Sequence, residues 1–117
     1  MTIPELTQKK CLPCEGGIPK LSPSEAQEFL SKVPDWKLVD DGTRIRREWV
    51  VKNFDAAMEF FQKVATVANS EGHHPDLHLV GFRNVAIEIW THAVGGLTEN
   101  DFILAAKIDE QPIQLKA

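Results

Sequence analysis

Cysteine is scarce in this chain of 117 residues: Cys11 and Cys14 are the only two, so no disulfide framework holds it together. No apolar run approaches the roughly 18 residues that a membrane-spanning helix needs. The N-terminal stretch lacks a basic segment leading into an apolar one, and it is neither Arg-rich nor Ser-rich. A secretory or transit segment is therefore not expected, and the expected location is cytoplasmic, or an organelle if a leader precedes this sequence. No basic run follows a helical pattern, and the net charge is −4, which disfavours direct nucleic-acid binding. There is no internal repeat and no low-complexity segment. What is present is ordinary: 43% hydrophobic and 26% charged residues predict a soluble globular domain with a sizeable core.

Residues 1–20 contain Pro4, Pro13, Gly16, Gly17 and Pro19 and read as an irregular arm; residues 21–117 read as one domain. Within the arm, Cys11-Leu12-Pro13-Cys14 is expected to carry no chemistry. A shared metal or a redox pair is the less favoured reading, because no second ligand pair or βαβ pattern accompanies it. Ser22-Pro23-Ser24-Glu25 predicts a capped helix start, with Ala26, Phe29, Leu30 and Val33 as its apolar stripe and Pro34 as its end. Trp36 and Leu38, then Ile45, Trp49 and Val51, predict two strands joined by the turn Asp40-Asp41-Gly42. Arg44, Arg46, Arg47 and Glu48 are interleaved there, as on a solvated sheet face.

Asn53 caps the longest predicted helix, which runs to Glu71 and stops at Gly72. Its apolar residues, from Ala57 to Ala68, recur at three and four. Leu77–Val80 and Val85–Thr91 predict a second hairpin around Gly81-Phe82-Arg83-Asn84, and Thr98 opens the last helix. The predicted fold is α+β, in the order α-β-β-α-β-β-α: a four-stranded antiparallel sheet with helices on one face. Trp49 and Trp90 suggest that a partner subunit covers the other face.

Four histidines are present, and His73, His74 and His92 fall at the ends of predicted elements that flank one hairpin. Imidazole is the side chain suited to moving protons near neutral pH. Antiparallel pairing of the second hairpin brings the segment before it, His73-His74, near the segment after it, Thr91-His92. His78 lies within the strand and reads as structural or exposed. A metal is not expected: His74, Asp76 and His78 share a face if extended, but their spacing matches no zinc motif. Asp101 stands three residues after Thr98, so it can complete a capping box and, in addition, orient a histidine ring; beside His92 it would favour the acid form of that ring.

Gly72-His73-His74-Pro75-Asp76, an aromatic at Phe82, Thr91-His92, Gly96-Leu97-Thr98-Glu99 and Asp101 together resemble the signature of pterin-4a-carbinolamine dehydratases. The resemblance covers roughly residues 20–110, and the N-terminal Cys-x-Pro-Cys-x-Gly-Gly pattern is similar to that of many non-animal members. The chain departs from the family at Asn69, where a charged residue is common, and at Leu77, where animal members have an aromatic. Its loop between His74 and His92 is one residue longer than theirs. These departures bear on pocket shape more than on core chemistry.

The resemblance implies dehydration of 4a-hydroxytetrahydropterin to quinonoid dihydropterin, recycling the pterin for aromatic amino-acid hydroxylases, with no metal or organic cofactor. It implies His73, His74 and His92 as proton-handling and substrate-holding groups, the division between acid and base being open. Thr91 and Asp101 belong to the same pattern, and Pro75 and Trp36 are expected to wall the flat heterocycle. The implied assembly is a homodimer or homotetramer. The alternatives are a non-enzymatic dimerisation cofactor acting through the long helix, or pterin handling in another pathway such as molybdopterin metabolism.

Overall fold

The computed structural model describes residues 6–9, 11 and 19–116; Cys14 and most of the predicted N-terminal arm lie outside the described residues. A 3-10 turn at Leu6–Gln8 precedes helix α1 (Pro23–Leu30), strands β1 (Lys37–Val39) and β2 (Arg44–Val50), and helix α2 (Phe54–Glu71). Strands β3 (Asp76–Val80) and β4 (Asn84–Ile89) follow, then a 3-10 turn at His92–Val94 and helix α3 (Glu99–Asp109). The four strands form one antiparallel sheet in the order β1-β2-β4-β3. The fold is the α-β-β-α-β-β-α arrangement that the sequence predicts.

Local chemistry explains most boundaries. Ser22 accepts from the backbone N–H of Glu25, whose carboxylate accepts from the N–H of Ser22, and Pro23 occupies the first turn. Those hydrogen bonds hold the Glu25 carboxyl below its ordinary range. Helix α1 ends at Leu30, short of the predicted Pro34. Val33 lies beyond it in a turn yet is buried, so the apolar periodicity there reports packing, not helix. Asn53 accepts from Ala56 N–H at 2.8 Å to start α2. Gly72 ends α2 in the left-handed region at φ 66°, where a Cβ is costly.

The strands alternate. On β2, Ile45 and Trp49 face the helices; on β4, Val85, Ile87 and Ile89 do the same and are almost fully buried. Helix α2 lays Ala57, Phe60, Val64 and Ala68 on this face, and α3 adds Phe102, Leu104, Ala105 and Ile108. Trp49 meets Phe60 edge-on at 5.1 Å between ring centroids, and Phe29 of α1 stacks on Phe102 of α3 at 5.4 Å. Burying one such side chain contributes about 1.5–3 kcal/mol. Trp49 therefore belongs to the core beneath α2, and the expectation that it marks a face covered by a partner is corrected.

The open face is charged. Glu88 on β4 takes hydrogen bonds from Arg44 at 3.0 Å and Arg46 at 2.6 Å. Burial alone would push the Glu88 carboxyl up; the two arginine hydrogen bonds outweigh it and hold the group below its ordinary value. Arg47 departs from the solvated cluster. It points to the helix side, donating to Asp109 at 2.6 Å and lying over the Trp49 ring. No helix among the described residues is long and apolar enough to cross a membrane.

Candidate active site

The Gly72 cap decides where the first histidine goes. The N–H groups of Gly72 and His73 both donate to Ala68 O, and the left-handed turn sends His73 into the interior, where it is 6% exposed. There its Nε2 meets Asp101 Oδ1 at 2.6 Å. Asp101 is fully buried on the first turn of α3. Its Oδ2 accepts the hydroxyl of Thr91 at 2.9 Å and the backbone N–H of Thr98 at 2.8 Å.

The direction of these bonds follows from the donor inventory. Oδ2 accepts twice, and as a carboxylate Asp101 accepts at Oδ1 as well, which makes His73 Nε2–H the donor there. Thr91 has given its one proton to Asp101, so Thr98 donates its hydroxyl to Thr91 across 2.9 Å. Every partner in this group is buried, where an unmade hydrogen bond costs about 1–3 kcal/mol.

Thr91 reaches this position because the chain beyond β4 remains extended and bridges to Gly96. Its neighbour His92 therefore points the other way and is exposed. The His92 ring lies 3.9 Å from the Trp90 ring, with 32° between planes. Of the histidines that Asp101 could orient, the carboxylate takes His73 and not His92. The alternation of sides along the chain gives Thr91, not His92, to the buried aspartate.

His74 is exposed, and its Nε2 bonds to Asn69 Oδ1 at 3.0 Å. Asn69 sits on the last turn of α2, so the neutral residue at this departure from the family pattern holds a histidine. Pro75 is half-buried between His74 and the start of β3. Strand pairing sets Asp76 opposite Glu88, which brings the His73-His74 segment to the end of β4. Trp36 is not brought to the histidines. It is 1% exposed, donates to Asp109 at the far end of α3, and meets Trp49 edge-on, so it has no surface with which to wall a ligand. Burial pushes the Asp109 carboxyl up, against the hydrogen bonds from Trp36 and Arg47. His78 is exposed on the open sheet face.

Behind the site, Glu71 is the last residue of α2. It accepts Lys107 Nζ of α3 at 2.6 Å and the backbone N–H of Cys11 at 2.8 Å. The Cys11 thiol donates to Asn100 O at 3.6 Å. Burial, reinforced by the Glu71 carboxylate, pushes that thiol up to about 12. Asn69, Thr98 and Glu71 were not among the expected site residues. The signal that finds Asn69 and Glu71 is the Gly72 stop, which places the last turn of α2 beside the histidine pair; for Thr98 it is the three-residue spacing to Asp101. Among the described residues, no three His, Cys, Asp or Glu side chains converge to hold a metal ion. Clefts of about 400 and 310 Å³ lie on the open face, and neither is lined by His73, His74 or His92.

A buried carboxylate–histidine pair beside two exposed imidazoles is equipped to hold a polar ring and exchange protons with it. Comparison with known proteins gives a consistent result. The family model described as pterin 4 alpha carbinolamine dehydratase matches residues 19–111. A mitochondrial pterin-4-alpha-carbinolamine dehydratase 2 of Arabidopsis thaliana is 53% identical over 97% of this chain, which spans 62% of that protein's length. A provisionally named pterin-4-alpha-carbinolamine dehydratase of Methylococcus capsulatus is 47% identical over 90% of this chain and 91% of its own. A crystal structure of a transcriptional coactivator/pterin dehydratase from Brucella melitensis superposes with a TM-score of 0.73 at 31% identity, covering 78% of this chain and 96% of that one. The chain belongs to the pterin 4 alpha carbinolamine dehydratase family.

Proposed function

We propose that the chain is a hydro-lyase that dehydrates a 4a-hydroxytetrahydropterin to quinonoid dihydropterin by histidine acid–base catalysis. The chemistry needs two proton transfers. The 4a-hydroxyl takes a proton and leaves as water, while N5 gives one up as the C4a=N5 bond forms. Three imidazoles supply the groups. His73 is held through Nε2 by Asp101, and His74 through Nε2 by Asn69. With Nε2 of His74 engaged, its Nδ1 serves proton exchange, while His92 faces solvent on its 3-10 turn. Pro75 and Thr91 act as neighbours that fix these rings.

The observation that carries the reading is the buried Asp101. It accepts from His73 and from Thr91, the residue before His92, and so ties both histidine segments to one carboxylate. A placed acid or base contributes about 10²–10⁴-fold. Stopped-flow dehydration of synthetic carbinolamine tests the proposal. Acceleration by the wild type that falls in His74→Ala and His92→Ala is expected; a wild type no faster than buffer refutes it. The recycled tetrahydropterin would serve aromatic amino-acid hydroxylation, in the cytoplasm or in an organelle like that of the plant relative.

A second reading rests on helix α2, which exposes Phe54 and Met58 at 51% and 41%. Solvent-facing apolar side chains on one helix suit a homodimer or homotetramer, and an interaction role like the coactivator half of the Brucella protein's name. Light scattering on Met58→Glu separates the two readings. The assembly role predicts a smaller particle; the catalytic role predicts that only the histidine variants lose dehydration.

A further inference from the structure

Trp90 and Arg44 stand outside the family motif, yet they join its two halves. The Trp90 ring lies against His92 at 3.9 Å, and the Arg44 guanidinium carbon lies 4.7 Å from the centroid of the same ring. The indole N–H has no hydrogen-bond partner among the described residues, so the ring is held by contacts on its faces. Arg44 also reaches Asp76, two residues after His74, at 3.6 Å, and donates to Glu88 at 3.0 Å. Asp40 of the β1–β2 turn approaches it at 3.4 Å.

This arrangement answers an electrostatic problem. Asp76 and Glu88 are directly paired across β3 and β4, and like charges in that register repel. Arg44 neutralises both, with Arg46 assisting at Glu88. The same guanidinium packs on Trp90, as a planar cation does on an aromatic face. One side chain on β2 therefore fixes the start of β3, just after His74, and the indole that supports His92.

We propose that Trp90 and Arg44 are positioning residues for the dehydration, setting the orientation of the His92 ring relative to His74. The inference rests on the proposed function for its kinetic consequence, but its geometric consequence is independent of activity. An exposed histidine on a short turn samples many rotamers; a ring stacked at 3.9 Å samples few. Loss of the stack then lowers kcat more than it raises KM, because the misplaced group acts in the transition state.

The test compares Trp90→Phe, which keeps an aromatic face, with Trp90→Leu, which does not. Proton–carbon spectra of protein labelled at histidine read the His92 ring directly. In the wild type and in Trp90→Phe its C–H resonances are expected upfield, under the neighbouring ring current; in Trp90→Leu they move to the position of a free histidine. The kcat of Trp90→Leu falls roughly ten- to a hundredfold, the scale of a misplaced catalytic group, and Trp90→Phe restores most of it. Arg44→Lys keeps the charge between Asp76 and Glu88 but loses the planar stack, and gives a smaller kcat loss should Trp90→Leu fail to fold. An unshifted His92 in the wild type overturns the proposal, as does wild-type kcat in folded Trp90→Leu. An upfield His92 in a wild type without dehydratase activity refutes the proposed function instead, and supports the stack.

Discussion

Replacing Asp101 with asparagine tests the centre of the site with almost no change of shape. The Thr91 hydroxyl and the Thr98 N–H both donate to Oδ2, so the amide oxygen of the substituted side chain must stay there. The amide nitrogen then replaces Oδ1 and turns a donor toward His73 Nε2, which is itself a donor at 2.6 Å in the wild type. Two donors cannot share that distance. The ring must move its proton to Nδ1 or swing away. Exchanging charge-assisted for neutral hydrogen bonds costs about 1.5 kcal/mol. Losing an anion from the first turn of α3 adds up to about 1 kcal/mol. At this chain length each kcal/mol lowers Tm by about 4 °C, so a fall of about 8 °C is expected. The kinetic effect is larger, because the wrong nitrogen now carries the proton: dehydration falls by about 10²-fold or more. Stopped-flow decay of the carbinolamine, run well below the variant's Tm, measures the rate. Nitrogen NMR of labelled histidine reads the tautomer. A folded Asp101→Asn with the wild-type rate and with Nε2 still protonated would refute the argument.

Three further outcomes follow from the same geometry. Thr91→Val removes the donor to Asp101 and the acceptor for Thr98, and is expected to cost about 1–3 kcal/mol in denaturant unfolding. Gly72→Ala meets no atom within 4 Å, so its cost is purely conformational at φ 66°. About 1–2 kcal/mol is expected, and the dehydration rate falls further if the turn relaxes and His73 withdraws from Asp101. Cys11 is the pH-dependent case. Its thiol is raised from 9.0 to about 12, so the folded chain keeps a proton that the unfolded chain releases. Stability therefore declines as pH rises from 9.0 to about 12, and Cys11→Ala flattens that decline. In a Cys14→Ser background, iodoacetamide should modify Cys11 far more slowly in the native protein than in urea.

The sequence carried the fold wherever boundary chemistry was local. Asn53 and Gly72 bracket α2 because a cap and a left-handed stop act within one turn. Pro34 misled, because the chain leaves the helix at Ser31 and turns, while Val33 still packs inward and preserves the apolar spacing. At the site, strand pairing gave the neighbourhood of the histidines but not their partners. Which of Thr91 and His92 turns inward depends on a single residue of phase, and the chain enters a 3-10 turn there. The partner of Asp101 was therefore legible as a choice among histidines, and the fold made the choice. Trp49 shares the parity of Ile45, and that spacing is the signal for its inward direction. Trp36 lies just before β1, where no periodicity constrains its direction; its bond to Asp109 depends on the docking of α3.

The economy of Asp101 has a consequence for how the protein fails. One carboxylate closes the start of α3, holds the turn after β4 and orients His73. The machinery is therefore whole only while α3 is docked. That helix also carries Phe102, Leu104 and Ile108 into the core beneath the sheet, so its undocking and the loss of the core are one event. On heating, dehydratase activity and the β-strand signal should disappear together, and amides of α3 and of residues 91–98 should exchange with solvent as one group. A catalytic assay then becomes a thermometer for the whole core.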